Sequence, residues 1–214
     1  MAKLHYYNLS LKILDKVKNQ EPKPRILLHA CCGPCSAFPL EFLCPYFDVT
    51  LYYQNSNIYP ESEYQRRKEE LIRLLHDFER DYHYHVDCIF PPYDEENYSK
   101  RLAPYAHLPE GSERCFHCYR FRMEEGYDYA EQHGFDYFAT IMTISTQKNS
   151  FVLNQIGEEL EKKHSHCRYF YSDFKKKKGA DRARELTAFY QLYRQNYCGC
   201  RYSYAEKEAK MKQK

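Results

Sequence analysis

No run in this sequence approaches the roughly 20 apolar residues needed to cross a membrane as a helix. Residues Met1 to Ser10 lack the continuous apolar core of a secretory leader. No internal repeat is present, and tryptophan is absent from the 214 residues. A helical membrane protein and a repeat array are therefore excluded, and a cytoplasmic protein is expected. A cytoplasmic, reducing setting also removes the usual purpose of many cysteines, a disulfide framework. The 10 cysteines of this chain thus point to metal binding or redox chemistry.

Hydrophobic residues make up 43%, aromatic residues 17% and charged residues 29%, the composition of a soluble globular chain. The length suits one medium domain with a real core. A single α/β domain over 1–214 is expected, with about 204–214, rich in Lys and Glu, as a frayed tail. The formal net charge is only +2, but it is unevenly spread. Between 162 and 184 lie nine Lys/Arg (162, 163, 168, 175, 176, 177, 178, 182, 184) against Asp173 and Asp181, +7 locally, so the remainder sums to −5. Such asymmetry suggests a polyanionic partner. Read alone, a lysine run is a solvated loop, and its significance grows if it borders an active site.

Along the chain, apolar residues at near-helical spacing over 4–20 predict an amphipathic helix ended before Pro22 and Pro24. Strands are predicted at Arg25–Ala30, Asp48–Gln54, Asp81–Ile89, Phe135–Met142 and Arg168–Tyr171. Between them, helices are predicted from near Ser36 to Pro45, over 61–78, over 94–107, and from about Arg114 to His133 with Gly134 as its cap. A further helix is capped by Ser145 or Thr146. Another starts at Asp181, carries Leu186, Phe189, Tyr190 and Tyr193, and ends at Tyr197. Strands alternating with helices imply a parallel sheet covered on both faces, with the chemistry at the C-terminal ends of the strands. The loops Cys31–Cys35, Asn55–Pro60 and Thr143–Ser145 would then share one rim.

Seven cysteines fall into three tight groups: Cys31, Cys32 and Cys35; Cys115 and Cys118; Cys198 and Cys200. Cys44, Cys88 and Cys167 stand alone and are expected to be small buried side chains. Cys115 and Cys118 open a helix on one side, where backbone N–H groups stabilise thiolate. With Cys31 and Cys32 they supply four thiolates, enough for zinc or for a [4Fe–4S] cluster. Adjacent ligands are not zinc-ribbon spacing, which favours iron–sulfur. Gly199 allows Cys198 and Cys200 to face one point, either as a strained, easily reduced disulfide or as two more metal ligands, with Cys35 able to join them around a second iron.

At these residues the chain resembles the cobalamin-independent epoxyqueuosine reductases of the QueH type. The matching segments are LLHACCGPCS (27–36), NIYPESEYQRR (57–67), PEGSERCFHCYRFR (109–122), FATIMTIS (138–145) and LYRQNYCGCRYS (192–203). Small departures are Ser112, where the family tends to have Gly, and Thr146, where Pro is frequent; neither removes a thiol. The resemblance implies a three-layer parallel-sheet fold, Rossmann-like and of the PP-loop (HUP) type, with a C-terminal helical and Cys-Gly-Cys segment. It implies reduction of the epoxide of epoxyqueuosine to the alkene of queuosine at the wobble position of tRNAs with GUN anticodons, those for tyrosine, histidine, aspartate and asparagine. It implies a [4Fe–4S] cluster on Cys31, Cys32, Cys115 and Cys118. Cys198 and Cys200 would be a redox-active pair or, with Cys35, ligands of an additional iron ion. An electron donor of unknown identity is required.

That activity gives the basic segment a role, with Lys175, Lys176, Lys177 and Lys178 contacting tRNA phosphates. Tyr59, Glu61 and Glu63 are candidate acids for the leaving oxygen, and Tyr59 or Tyr119 could stack on the splayed base. A zinc-binding tRNA module without redox chemistry is the alternative. An ATP-dependent sulfur transferase would need a Gly/Ser-rich pyrophosphate loop, such as SGGxDS, where this chain has CCGPCS.

Overall fold

A computed structural model describes residues 5–212. Five short apolar segments form one sheet: β1 (Arg25–His29), β2 (Asp48–Tyr52), β3 (Asp87–Ile89), β4 (Tyr137–Thr140) and β5 (Arg168–Tyr169). All pairings are parallel, in the order β3-β2-β1-β4-β5. The expected α/β class and all five expected strands are present. The chain builds outward from β1 in one direction, then from β1 in the other. The crevice at this reversal, above the end of β1, is where open α/β sheets bind ligands.

Alternation along β1 assigns the two faces. Ile26 and Leu28 point into one core with Leu40, Leu71, Leu74 and Leu186, while Leu27 points into the other with Met123, Tyr127 and Leu153. The first core packs α2 (Gly33–Leu43), α3 (Glu61–Tyr82) and α7 (Gly179–Phe189) on one face. The second packs α5 (Glu113–Gln132) and α6 (Ser150–Glu161) on the other. The helix α1 (Tyr6–Val17) adds Leu14 and Val17 to the first core, and α4 (Glu95–Leu102) packs Tyr98 and Leu102 beside Cys118. Among the described residues no helix is long and apolar enough to cross a membrane.

Several boundaries differ from those expected. The predicted strand from Asp81 is helical at its start: α3 runs to Tyr82 and stops where His83 takes a left-handed conformation (φ 59°). The cap of α6 is Asn149, whose side chain accepts from the amides of Phe151 and Val152, in place of Ser145 or Thr146. The helix expected from Asp181 to Tyr197 ends at Phe189. Its continuation is captured by α3: the Tyr193 amide donates to Glu70 at 2.6 Å, and the Arg66 guanidinium stacks on the Tyr193 ring at 3.5 Å. The segment 190–200 is thereby pulled across the top of the sheet. The expected frayed tail is helical as α8 (Arg201–Lys212), and residues 213–214 lie outside the described part, as does the start of the first predicted helix.

Candidate thiol centre

The loop after β1 leaves the sheet at Ala30 and enters α2 at Gly33, earlier than the Ser36 start expected from sequence. Pro34 sits in the first turn, where its missing N–H costs nothing. Cys32 is then the N-cap and Cys35 the third helical residue, positions whose side chains lie against each other in any capping box. Cys31 completes the group. The three sulfurs lie within 4.8 Å of one another, a set that can hold a metal ion. Cys31 and Cys32 sulfurs are 3.8 Å apart. Two thiolates on one tetrahedral metal with bonds of about 2.3 Å span about the same distance.

The protons are shared unevenly. Hydrogen bonds from Cys31 and Cys35 hold the Cys32 thiol well below its ordinary pKa, while hydrogen bonds with Cys31 and Cys32 push Cys35 well above it. Gln195 also donates to the Cys32 sulfur at 3.6 Å. His29, at the end of β1 beneath the loop, is fully buried. Desolvation and then the Arg122 charge lower it to about 3, so it is neutral, linked to Thr140 Oγ1 at 3.0 Å and to the Gln54 carbonyl at 3.3 Å.

The other two groups converge on the same crevice. Cys115 lies in the first turn of α5 and Cys118 in the second, three residues on and on the same side. The Gly111 amide donates to the Cys115 sulfur at 3.2 Å and the Tyr98 hydroxyl to the Cys118 sulfur at 3.3 Å. Burial raises both thiols, Cys118 to about 12, and the charges of Cys198 and Cys200 act on both in the same direction. Cys198 lines a cavity of about 720 Å³ together with Cys31 and Cys35. Cys200 lies behind it, its sulfur accepting from the Ser203 amide at 3.4 Å. Gly199 between them has φ +122°. All seven expected site thiols thus gather at one end of the sheet, with Cys35 closest to Cys31 and Cys32. The lone thiols Cys44, Cys88 and Cys167 are each pushed up to about 12, burial being the largest cause, and do not line the cavity.

Three cations converge on this end, and none was singled out from sequence. Arg67 of α3 and Arg122 of α5 are 2% and 3% exposed. Arg122 donates to Asn55 Oδ1 at 2.6 Å and approaches the Met142 sulfur at 3.5 Å. It makes no ion pair with a carboxylate among the described residues, and its Nε has no partner. Lys148 lines the cavity. Burial alone would lower its pKa, but the charges of Cys198, Cys31 and Cys35 outweigh that and raise it.

Other expected residues sit elsewhere. Glu63 does not line the cavity: its carboxylate is held by Arg67 at 2.7 Å and by the Tyr193 hydroxyl at 3.1 Å. Glu61 and Tyr59 are exposed outside it, whereas Tyr119 lines it. Lys175 is half-buried, paired with Asp173 at 3.0 Å and donating to the Thr143 carbonyl at 3.2 Å. Lys176, Lys177 and Lys178 are exposed and lead into α7, whose Ala180 and Arg184 line the cavity. Arg194, also on the cavity wall, is exposed.

A family model described as "Epoxyqueuosine reductase QueH" matches residues 26–206. Among curated proteins, epoxyqueuosine reductase QueH of Staphylococcus aureus is 37% identical over 200 residues, covering 92% of this chain and 83% of that protein. The protein of the same description from Streptococcus pyogenes serotype M1 is 35% identical over 201 residues, covering 94% of this chain and 78% of the relative.

Proposed function

This chain belongs to the epoxyqueuosine reductase QueH family, an oxidoreductase family, and from that premise we propose that it reduces epoxyqueuosine to queuosine at the wobble position of tRNA. The observation that carries the reading is the convergence of three cysteine groups on one crevice at the sheet's reversal point. The residues fit an iron–sulfur group. Thiolates are the donors such a cluster requires, and Cys31, Cys32, Cys115 and Cys118 would hold it. A buried cation without a carboxylate needs an anion, since burying an isolated charge is very unfavourable. Arg122, with its unpartnered Nε, supports an anionic occupant.

Deoxygenating an epoxide to an alkene takes two electrons and two protons and releases the oxygen as water. A bound cluster supplies electrons one at a time. The chain's own part is to seat the nucleotide, exclude water and deliver protons. The cavity of about 720 Å³ admits a nucleotide extruded from its stack. Tyr119 offers a ring on its wall, and burial raises its pKa, so the hydroxyl stays protonated. Cys198 and Cys200 are the redox pair or, with Cys35, hold an additional iron ion.

The 3.8 Å separation of the Cys31 and Cys32 sulfurs is the span of two ligands on a single metal ion, so the alternative is a zinc-binding tRNA module. One experiment separates them. Anaerobically purified protein is expected to be brown, to contain iron and acid-labile sulfide, and with a chemical reductant to convert epoxyqueuosine-containing tRNA to the queuosine form. Colourless protein holding only stoichiometric zinc after reconstitution with iron and sulfide overturns the reductase mechanism.

The tRNA contacts carry their own prediction. Each phosphate contact to a single strand adds about 0.7 to the salt slope of log K. Replacing Lys176, Lys177 and Lys178 by Gln is expected to lower that slope by about 2. Lys175→Gln is expected to leave it nearly unchanged, because that ammonium is held by Asp173 and Thr143. The check is binding to an anticodon stem-loop across a salt series, and an unchanged slope in the triple variant removes the run from the interface.

A further inference from the structure

Arg67 is a buried arginine between two of the three cysteine groups. Its Nε pairs with Glu63 Oε1 at 2.7 Å, and its Nη1 donates to the Cys198 carbonyl at 3.3 Å. Gly199 rests on the same guanidinium: a Cβ there would lie 2.9 Å from Nη1, so only glycine allows this approach. The turn is fixed from its other side as well, by the Tyr59 amide donating to the Gly199 carbonyl at 2.7 Å. Nη2 of Arg67 is buried and has no partner. Burial would lower the arginine's pKa, but it is raised, first by the charge of Cys32, then by Glu63 and by Cys31. The guanidinium thus holds the turn and lines the same cavity as Cys31, and the segment leading into that turn reaches Cys32 through Gln195.

We propose that Arg67 is the positioning residue of the thiol centre: it seats the Cys198-Gly199-Cys200 turn over Cys31 and Cys32, and its unpartnered Nη2 is the N–H reserved for a sulfur of that centre. The ligand is thus a thiolate or sulfide sulfur, recognised by a charge-assisted hydrogen bond. An N–H bond to sulfur and a fixed positive charge both favour the more negative, reduced state of an iron–sulfur group. The two halves of the guanidinium thereby join the geometry of one cysteine group to the electron affinity of the other. The electron-affinity half rests on the cluster reading above, whereas the seating half does not.

The test uses anaerobically purified full-length protein carrying Arg67→Met or Arg67→Lys. Losing a hydrogen bond to a charged group, worth about 1.5–3 kcal/mol, is expected to raise iodoacetamide labelling of Cys198 and Cys200 about tenfold or more in Arg67→Met. Buried Cys44 and Cys167 stay unlabelled in a folded variant, which separates loss of the seat from loss of the fold. In the brown protein the midpoint potential of Arg67→Met moves negative, and Arg67→Lys, which keeps the charge, recovers part of the shift. Unchanged labelling with Cys44 and Cys167 protected overturns the seating role. An unchanged potential overturns the sulfur contact. Wild-type protein without iron or sulfide would overturn the reductase mechanism, while the labelling comparison still decides the seat.

Discussion

Cys118→Ser is expected to purify as colourless protein that has lost labile sulfide and cannot reduce epoxyqueuosine. Cys118 lies at the start of α5, 9% exposed, with its sulfur accepting from Tyr98. Serine has nearly the same shape, so the small apolar group of Tyr98, Leu102 and Cys118 stays filled and Tyr98 keeps an acceptor. What changes is the donor: a hard hydroxyl replaces a soft thiolate that iron–sulfur chemistry requires. Losing an outer-shell partner typically costs about 10–100-fold in metal affinity, and losing a direct ligand should exceed that range. Iron and sulfide analysis, the visible spectrum and turnover measure the loss, with Cys88→Ser as the control that keeps all three. A brown, sulfide-replete Cys118→Ser protein removes Cys118 from the ligand set.

The strands were legible because they are short apolar runs bounded by breakers: Ile26-Leu27-Leu28 is buried on both faces and carries no helical pattern. The cysteine groups were legible as motifs, since their members are neighbours in sequence. The tight triad was less so. It depends on α2 starting at Gly33, which makes Cys32 an N-cap, and Pro34 was the available signal. The segment after Phe189 was misread because Leu186, Phe189, Tyr190 and Tyr193 keep helical spacing, and only tertiary contacts to Glu70 and Arg66 break it. The buried cations come from separate parts of the chain, and no local spacing joins them. Their signal was charge in the wrong place. Arg67 lies three residues after Tyr64 and four before Leu71, on the apolar stripe of α3, and Arg122 lies four residues after Cys118 on the buried side of α5. A charged residue on a buried stripe requires partners, and here they are Glu63 and the Cys198 carbonyl for Arg67 and Asn55 Oδ1 for Arg122.

Cys200→Ser should behave in the opposite way to Cys118→Ser. The thiol has two separable roles. Its sulfur accepts from the Ser203 amide at 3.4 Å, and its carbonyl accepts from the Tyr204 amide at 2.9 Å, which makes Cys200 the N-cap of α8. Serine is a stronger N-cap than cysteine, so the substitution preserves or improves the start of the helix. Gly199 and its contact with Arg67 are untouched. Any loss of turnover therefore reports the sulfur and not the fold. If Cys198 and Cys200 exchange electrons as a pair, one thiol cannot act alone, and removing either costs about as much as removing both. The expected result is brown protein with iron and sulfide near the wild-type level, turnover lower by at least about 10³-fold, and no further loss in the Cys198→Ser, Cys200→Ser double variant. If the two thiols instead hold an additional iron ion, Cys200→Ser loses that iron alone, with its sulfide retained. Normal reduction of epoxyqueuosine by Cys200→Ser would leave this thiol no role beyond capping α8.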